Sequence, residues 1–121
     1  MKLPSAEHPL TLSPVAGQLV VAFHGVVVAR TDHGLALQEA AYKPVYYIPR
    51  TDIVAEHFQP TAHSTYCPYK GPASYFSLVA GGQVSENAVW SYEDPYPAMA
   101  DIKAHVAFYP DQVTFTVLTP A

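Results

Sequence analysis

The chain of 121 residues is poor in cysteine, with one, and poor in cations, with six lysine and arginine residues in all. A single cysteine excludes an internal disulfide and suits a reducing compartment. Six scattered cations against ten acidic residues give a net charge of −4, so no basic stripe is available to neutralise a phosphate backbone. No stretch approaches the ~20 apolar residues that a membrane-spanning helix needs. The segment Met1 to Pro9 is polar and broken by prolines, without the apolar core of a secretory leader. The expectation is a soluble cytoplasmic protein, monomer or homodimer, with no nucleic-acid and no membrane partner.

Half of the residues are hydrophobic and 13% are charged, a balance that argues for a folded globule despite twelve prolines. The length fits one domain, expected to span 14–121 behind a flexible segment, 1–13. Leu19 to Phe23 and Val26 to Arg30 are β-branched runs separated by His24-Gly25, the pattern of a hairpin with a two-residue turn. Short strands follow at Leu35 to Gln38 and at Val45 to Ile48, the latter boxed by Pro44 and Pro49. Ser74 to Val79 and Ala88 to Tyr92 flank a Gly81-Gly82 turn. Val106 to Tyr109 and Val113 to Val117 are expected to pair across Pro110-Asp111-Gln112.

Two short helices are expected. Thr51 can cap one that runs to Phe58, with Asp52 in its first turn. Asp94-Pro95 can open another, with Tyr96, Met99 and Ile102 as its apolar stripe. The fold class is therefore mainly β with two short helices, packed as a compact antiparallel barrel or a bent sandwich.

The densest chemistry lies in Tyr66-Cys67-Pro68-Tyr69-Lys70-Gly71-Pro72. Two prolines and a glycine fix the backbone path there, and Cys67, Tyr69 and Lys70 supply a thiol, an aromatic face and a cation. Cys67 is a candidate nucleophile, with His63 as its base; the competing reading is a packed, inert thiol. Arg50 and Lys70 are scarce cations beside tyrosines and can clamp an anion, or else form structural ion pairs. Tyr47, Tyr69, Tyr75, Trp90 and Tyr92 can wall such a site, although each can equally serve the core. The six histidines have no metal-binding spacing, and no metal site is expected.

Four strings carry a family resemblance: Pro44-Val45-Tyr46-Tyr47-Ile48-Pro49-Arg50-Thr51-Asp52, His63-Ser64-Thr65-Tyr66-Cys67-Pro68-Tyr69-Lys70-Gly71, Ala88-Val89-Trp90-Ser91-Tyr92-Glu93-Asp94-Pro95 and Val106-Ala107-Phe108-Tyr109. With them the chain, from about Pro14 onward, resembles the family catalogued as domain of unknown function 427. The resemblance implies a compact β-rich fold, usually a stand-alone bacterial protein. A nucleotidyltransferase label is sometimes attached to the family, with no established activity, and the cofactor is unknown. That chemistry needs converging carboxylates for a metal ion and a phosphate cradle. Glu93 and Asp94 are adjacent and point to opposite faces of an extended segment, and no Gly-x-x-x-x-Gly-Lys occurs; Asp32, Asp52 and Glu93 would have to converge in the fold. Three functional readings stay open: a pocket for a small anionic planar ligand, nucleotide-like or a phosphorylated metabolite, lined by Arg50, His63, Tyr69, Lys70, Trp90, Tyr92 and Tyr47; an interaction or assembly module in which the loop is architectural; and a nucleotidyltransferase-type enzyme.

Overall fold

Ten strands fall into two antiparallel sheets in the computed structural model, which describes residues 1–119. The last two positions of the expected 14–121 domain lie outside the described residues. In chain order the strands are β1 (Leu10–Pro14), β2 (Gln18–Phe23), β3 (Val26–Thr31), β4 (Leu35–Glu39), β5 (Val45–Pro49), β6 (Phe58–Cys67), β7 (Gly71–Ala80), β8 (Gln83–Ser91), β9 (His105–Phe108) and β10 (Thr114–Leu118). Seven make one sheet in the order β1-β4-β5-β9-β8-β7-β6, and three make the other in the order β10-β2-β3.

Local sequence explains the tight turns. Phe23 pairs with Val26, and both residues between them take positive φ, His24 at 47° and Gly25 at 78°. That is the backbone a twisted two-residue hairpin turn requires. Ala80 likewise pairs with Gln83 across Gly81 and Gly82, both at positive φ. The first strand, β1, runs along β4 with Leu10 opposite Glu39 and Pro14 opposite Leu35.

The core lies between the sheets. Leu19, Val21, Phe23 and Val28 of the small sheet meet Ile48, Phe76, Leu78, Val89, Val106 and Phe108 of the large one. Two faces joined this way make a sandwich. The large sheet has open edges at β1 and β6 among the described residues, so the barrel alternative gives way to the sandwich.

Three expectations need correction. The helix from Thr51 to Phe58 is replaced by two single 3-10 turns, Arg50–Asp52 and Ala55–His57. Between them the β-branched Ile53 stays extended and bridges to Ala29, and the Val54 N–H donates to the Val28 carbonyl. Pairing with β3 thus outweighs the local capping signal. The second helix is also 3-10 and starts at Pro97, after Tyr96, rather than at Pro95; it buries Met99 and Ile102. Finally, β10 pairs with β2 and not with β9. The Pro110 to Val113 segment carries the chain from one sheet to the other, while β9 is held between β5 and β8.

Candidate functional site

Side chains alternate between the faces of a strand, so the large sheet has a second inner surface. On β5, Tyr46 and Ile48 face the sandwich core while Val45 and Tyr47 face away from it. On β9, Val106 and Phe108 face the core and Ala107 faces away. Tyr75 of β7, Trp90 of β8 and Leu37 of β4 join Tyr47 and Ala107 on that far face, with Tyr92 just beyond β8. Met99 and Ile102 cover part of it. The ladder sets Trp90 between Tyr75 and Ala107.

A cavity of about 420 Å³ opens on this face. Tyr47, Tyr75, Trp90 and Tyr92 form its walls, with Leu37 and Val45. The exposed Tyr42, Lys43 and Tyr109 stand at its mouth. Glu39 and Lys70 bring charge to its lining.

Lys70 reaches the cavity because of the turn that carries it. Cys67 pairs with Gly71, closing a three-residue connection, Pro68 to Lys70, between β6 and β7. Gly71 has φ 106°, a conformation open to glycine and strained for other residues. The turn folds Lys70 inward, to 6% exposure. Its ammonium donates to Glu39 Oε1 at 2.6 Å and to Cys67 Sγ at 3.6 Å, and stands 5.9 Å from the centre of the Tyr92 ring. A buried ammonium without a carboxylate would be costly, and Glu39, the last residue of β4, supplies one.

The segment before β1 adds a third member. His8 Nε2 lies 2.8 Å from Glu39 Oε2, and the His8 ring stacks on Tyr69 with centroids 4.1 Å apart. The Lys2 N–H donates to the Pro68 carbonyl at 2.7 Å. Burial alone would raise the Glu39 carboxyl, but hydrogen bonds from Lys70 and His8, together with their charges, hold it below its ordinary value of 4.5. The tyrosines move the other way. Burial pushes the Tyr47 and Tyr92 phenols far up. The neighbouring Tyr75 phenol and then burial push Tyr109 up to about 12. The phenols of Tyr47, Tyr92 and Tyr109 are therefore neutral donors at physiological pH.

A family model described as a domain of unknown function, DUF427, matches residues 11–119. The chain belongs to the DUF427 family. No curated protein matches it.

Of the residues singled out in this DUF427 sequence, Tyr47, Lys70, Trp90 and Tyr92 line the cavity together with Tyr75. Tyr69, in the middle of the turn, stacks on His8 and is not part of the cavity lining. His63 is an exposed residue of β6 whose ring meets Tyr75 edge-on at 4.5 Å. Cys67 is half-buried beside Lys70. Arg50 is on the other side of the large sheet: its guanidinium lies 5.1 Å from the centre of the Phe76 ring, part of the sandwich core, and it donates to Glu93 at 2.8 Å. The carboxylates considered for metal binding take separate partners. Asp52 accepts from Thr31, Asp32 from Gln18 and Glu93 from Arg50. Among the described residues no group of three or more His, Cys, Asp or Glu is placed to hold a metal ion.

Glu39, Tyr42, Lys43 and Tyr109 were not legible as site residues. For two of them a signal exists in the strand alternation. Glu39 follows Leu35 and Leu37 on one face of β4, and Tyr109 stands two residues beyond Ala107 of β9.

Proposed function

We propose that this DUF427 domain binds a small planar ligand carrying an anionic group, nucleotide-like or a phosphorylated metabolite, in the tyrosine-lined cavity. The observation that carries the reading is a buried lysine on the wall of a cavity lined mainly by aromatic side chains. A volume of about 420 Å³ falls within the range of small-molecule sites, about 300–1,000 Å³. Flat rings favour a flat occupant. Lys43 and Lys70 against Glu39 leave the lining with one excess positive charge, which suits an anion. An ammonium has three protons to donate, so Lys70 can serve a ligand while it keeps Glu39. Neutral phenols add donors for oxygen atoms.

Calorimetric titration with a panel of nucleoside monophosphates, aryl phosphates and aryl carboxylates tests this. Saturable one-to-one binding by at least one member is expected; no heat from any member contradicts the reading.

The pairing of Lys70 with Glu39 and His8 also favours a second reading, in which the turn is an architectural clasp and the domain an assembly module. That reading predicts no affinity for any member of the panel and a concentration-dependent mass in sedimentation.

A further inference from the structure

Lys70 differs from the other three lysines. Lys2, Lys43 and Lys103 are exposed, whereas Lys70 is 6% exposed and lines the cavity. Its amine has a carboxylate oxygen at 2.6 Å, and that carboxylate is held on its far side by His8 at 2.8 Å. A nucleophilic lysine needs this set of parts: an amine shielded from water, a neighbouring base to take its proton, and a cavity in which an electrophile can sit beside it.

We infer that Lys70 is a nucleophile that forms a reversible imine with an aldehyde or ketone group on the cavity's planar anionic ligand, with Glu39 as the proton carrier. The inference rests on the binding reading above and adds the reactive group of the ligand. An Nζ proton passes to Glu39 Oε1, and the freed lone pair adds to the carbonyl carbon as the C=O π pair moves onto oxygen. That oxygen takes the proton back from Glu39, giving a carbinolamine. A second nitrogen proton, carried by Glu39 to the hydroxyl, lets water leave as the nitrogen lone pair closes the C=N bond. Ammonium and carbonyl become protonated imine and water, with no change of oxidation state or net charge and no further reactant. His8, against Glu39 Oε2, fixes the carboxylate so that Oε1 stays on Lys70. The phenol of Tyr92, whose ring faces the ammonium, is a neutral donor on the same cavity wall, and Cys67 Sγ holds the amine from the opposite end of the turn.

The probe is 4-carboxybenzaldehyde, planar, anionic and carbonyl-bearing, reduced in place with borohydride and mapped by peptide mass spectrometry on the full chain. Labelling of Lys70 is expected to exceed that of each exposed lysine by at least about tenfold, and Glu39→Gln is expected to slow Lys70 labelling by at least about tenfold while Lys2 and Lys103 label as before. Because that variant can lose stability, 4-(hydroxymethyl)benzoate, with the same plane and charge but no carbonyl, is used as a competitor on the unmodified protein and is expected to protect Lys70 while Lys2 and Lys103 label as before. Label that follows exposure, on Lys2, Lys43 and Lys103 with none on Lys70, overturns the imine. If any member of the planar-anion panel still binds by calorimetry in that case, the binding reading survives; if none does, both fall.

Discussion

The Lys70 ammonium and the Glu39 carboxylate meet at 2.6 Å across 31 residues of chain, tying the β6–β7 turn to the end of β4. Two structural facts make the contact. Gly71 lets the turn fold back, and the period of β4 places Glu39 on the same face as Leu37. The cavity wall and the clasp are one construction, so perturbing the pair reads on both stability and binding.

Stability separates this pair from the other lysine or arginine ion pair among the described residues. The side chains of Lys70 and Glu39 are 8% and 23% exposed, whereas those of Arg50 and Glu93 are 39% and 56% exposed. Glu39→Gln leaves a buried ammonium short of its counter-charge and is expected to cost about 1–3 kcal/mol. Glu93→Gln is expected to cost less than about 1 kcal/mol. Urea unfolding of both variants checks the order, which reverses only if the clasp is not formed in solution.

Acid should weaken the fold through Glu39. Its folded value lies below the ordinary 4.5, so its contribution is complete above that pH and is lost as pH falls through the lower, folded value. The stability difference between the unmodified protein and Glu39→Gln is expected to shrink as pH falls below about 4.5. A difference that grows on acidification contradicts the assignment.

Alkali acts on the cavity walls. The raised phenols of Tyr47, Tyr92 and Tyr109 bind their protons more tightly folded than unfolded, so their contribution is complete below the ordinary value of 10.0 and is lost as pH rises towards the folded values. In an ultraviolet titration to about pH 11, no more than six of the nine tyrosines are expected to ionise before unfolding. Full ionisation with the fold intact would show these phenols to be solvated.

Local backbone chemistry was legible where it decided the structure by itself. His24-Gly25 and Gly81-Gly82 mark hairpins because few other sequences accept two consecutive positive φ values. Competition between distant partners was not legible. The β-branched Ile53 and Val54 follow a good cap, and only their contacts with β3 decide against a helix. Strand β10 looked like the return of β9 because the two are adjacent in sequence, yet its partner β2 lies near the other end of the chain. Strand β6 was hidden by its own composition: as an edge it is mostly exposed, carries Pro60 and a register shift, and has no apolar alternation. The cavity shared this division. Lys70, Trp90 and Tyr92 stood out as scarce or large residues beside a stiff turn, whereas Arg50 had equal claim by sequence until the sheet placed it on the opposite face.

Trp90 is the only tryptophan of the chain and it lines the cavity, which makes its fluorescence a direct reporter of occupancy. Titration of the unmodified protein and of Lys43→Glu with the panel of planar anions tests the central claim. The account predicts a saturable change in Trp90 emission with at least one planar anion, and an affinity weaker by about tenfold, about 1.4 kcal/mol, in Lys43→Glu with its melting temperature unchanged. Emission that stays constant across the panel, or an affinity untouched by reversing the charge at the mouth, would contradict it.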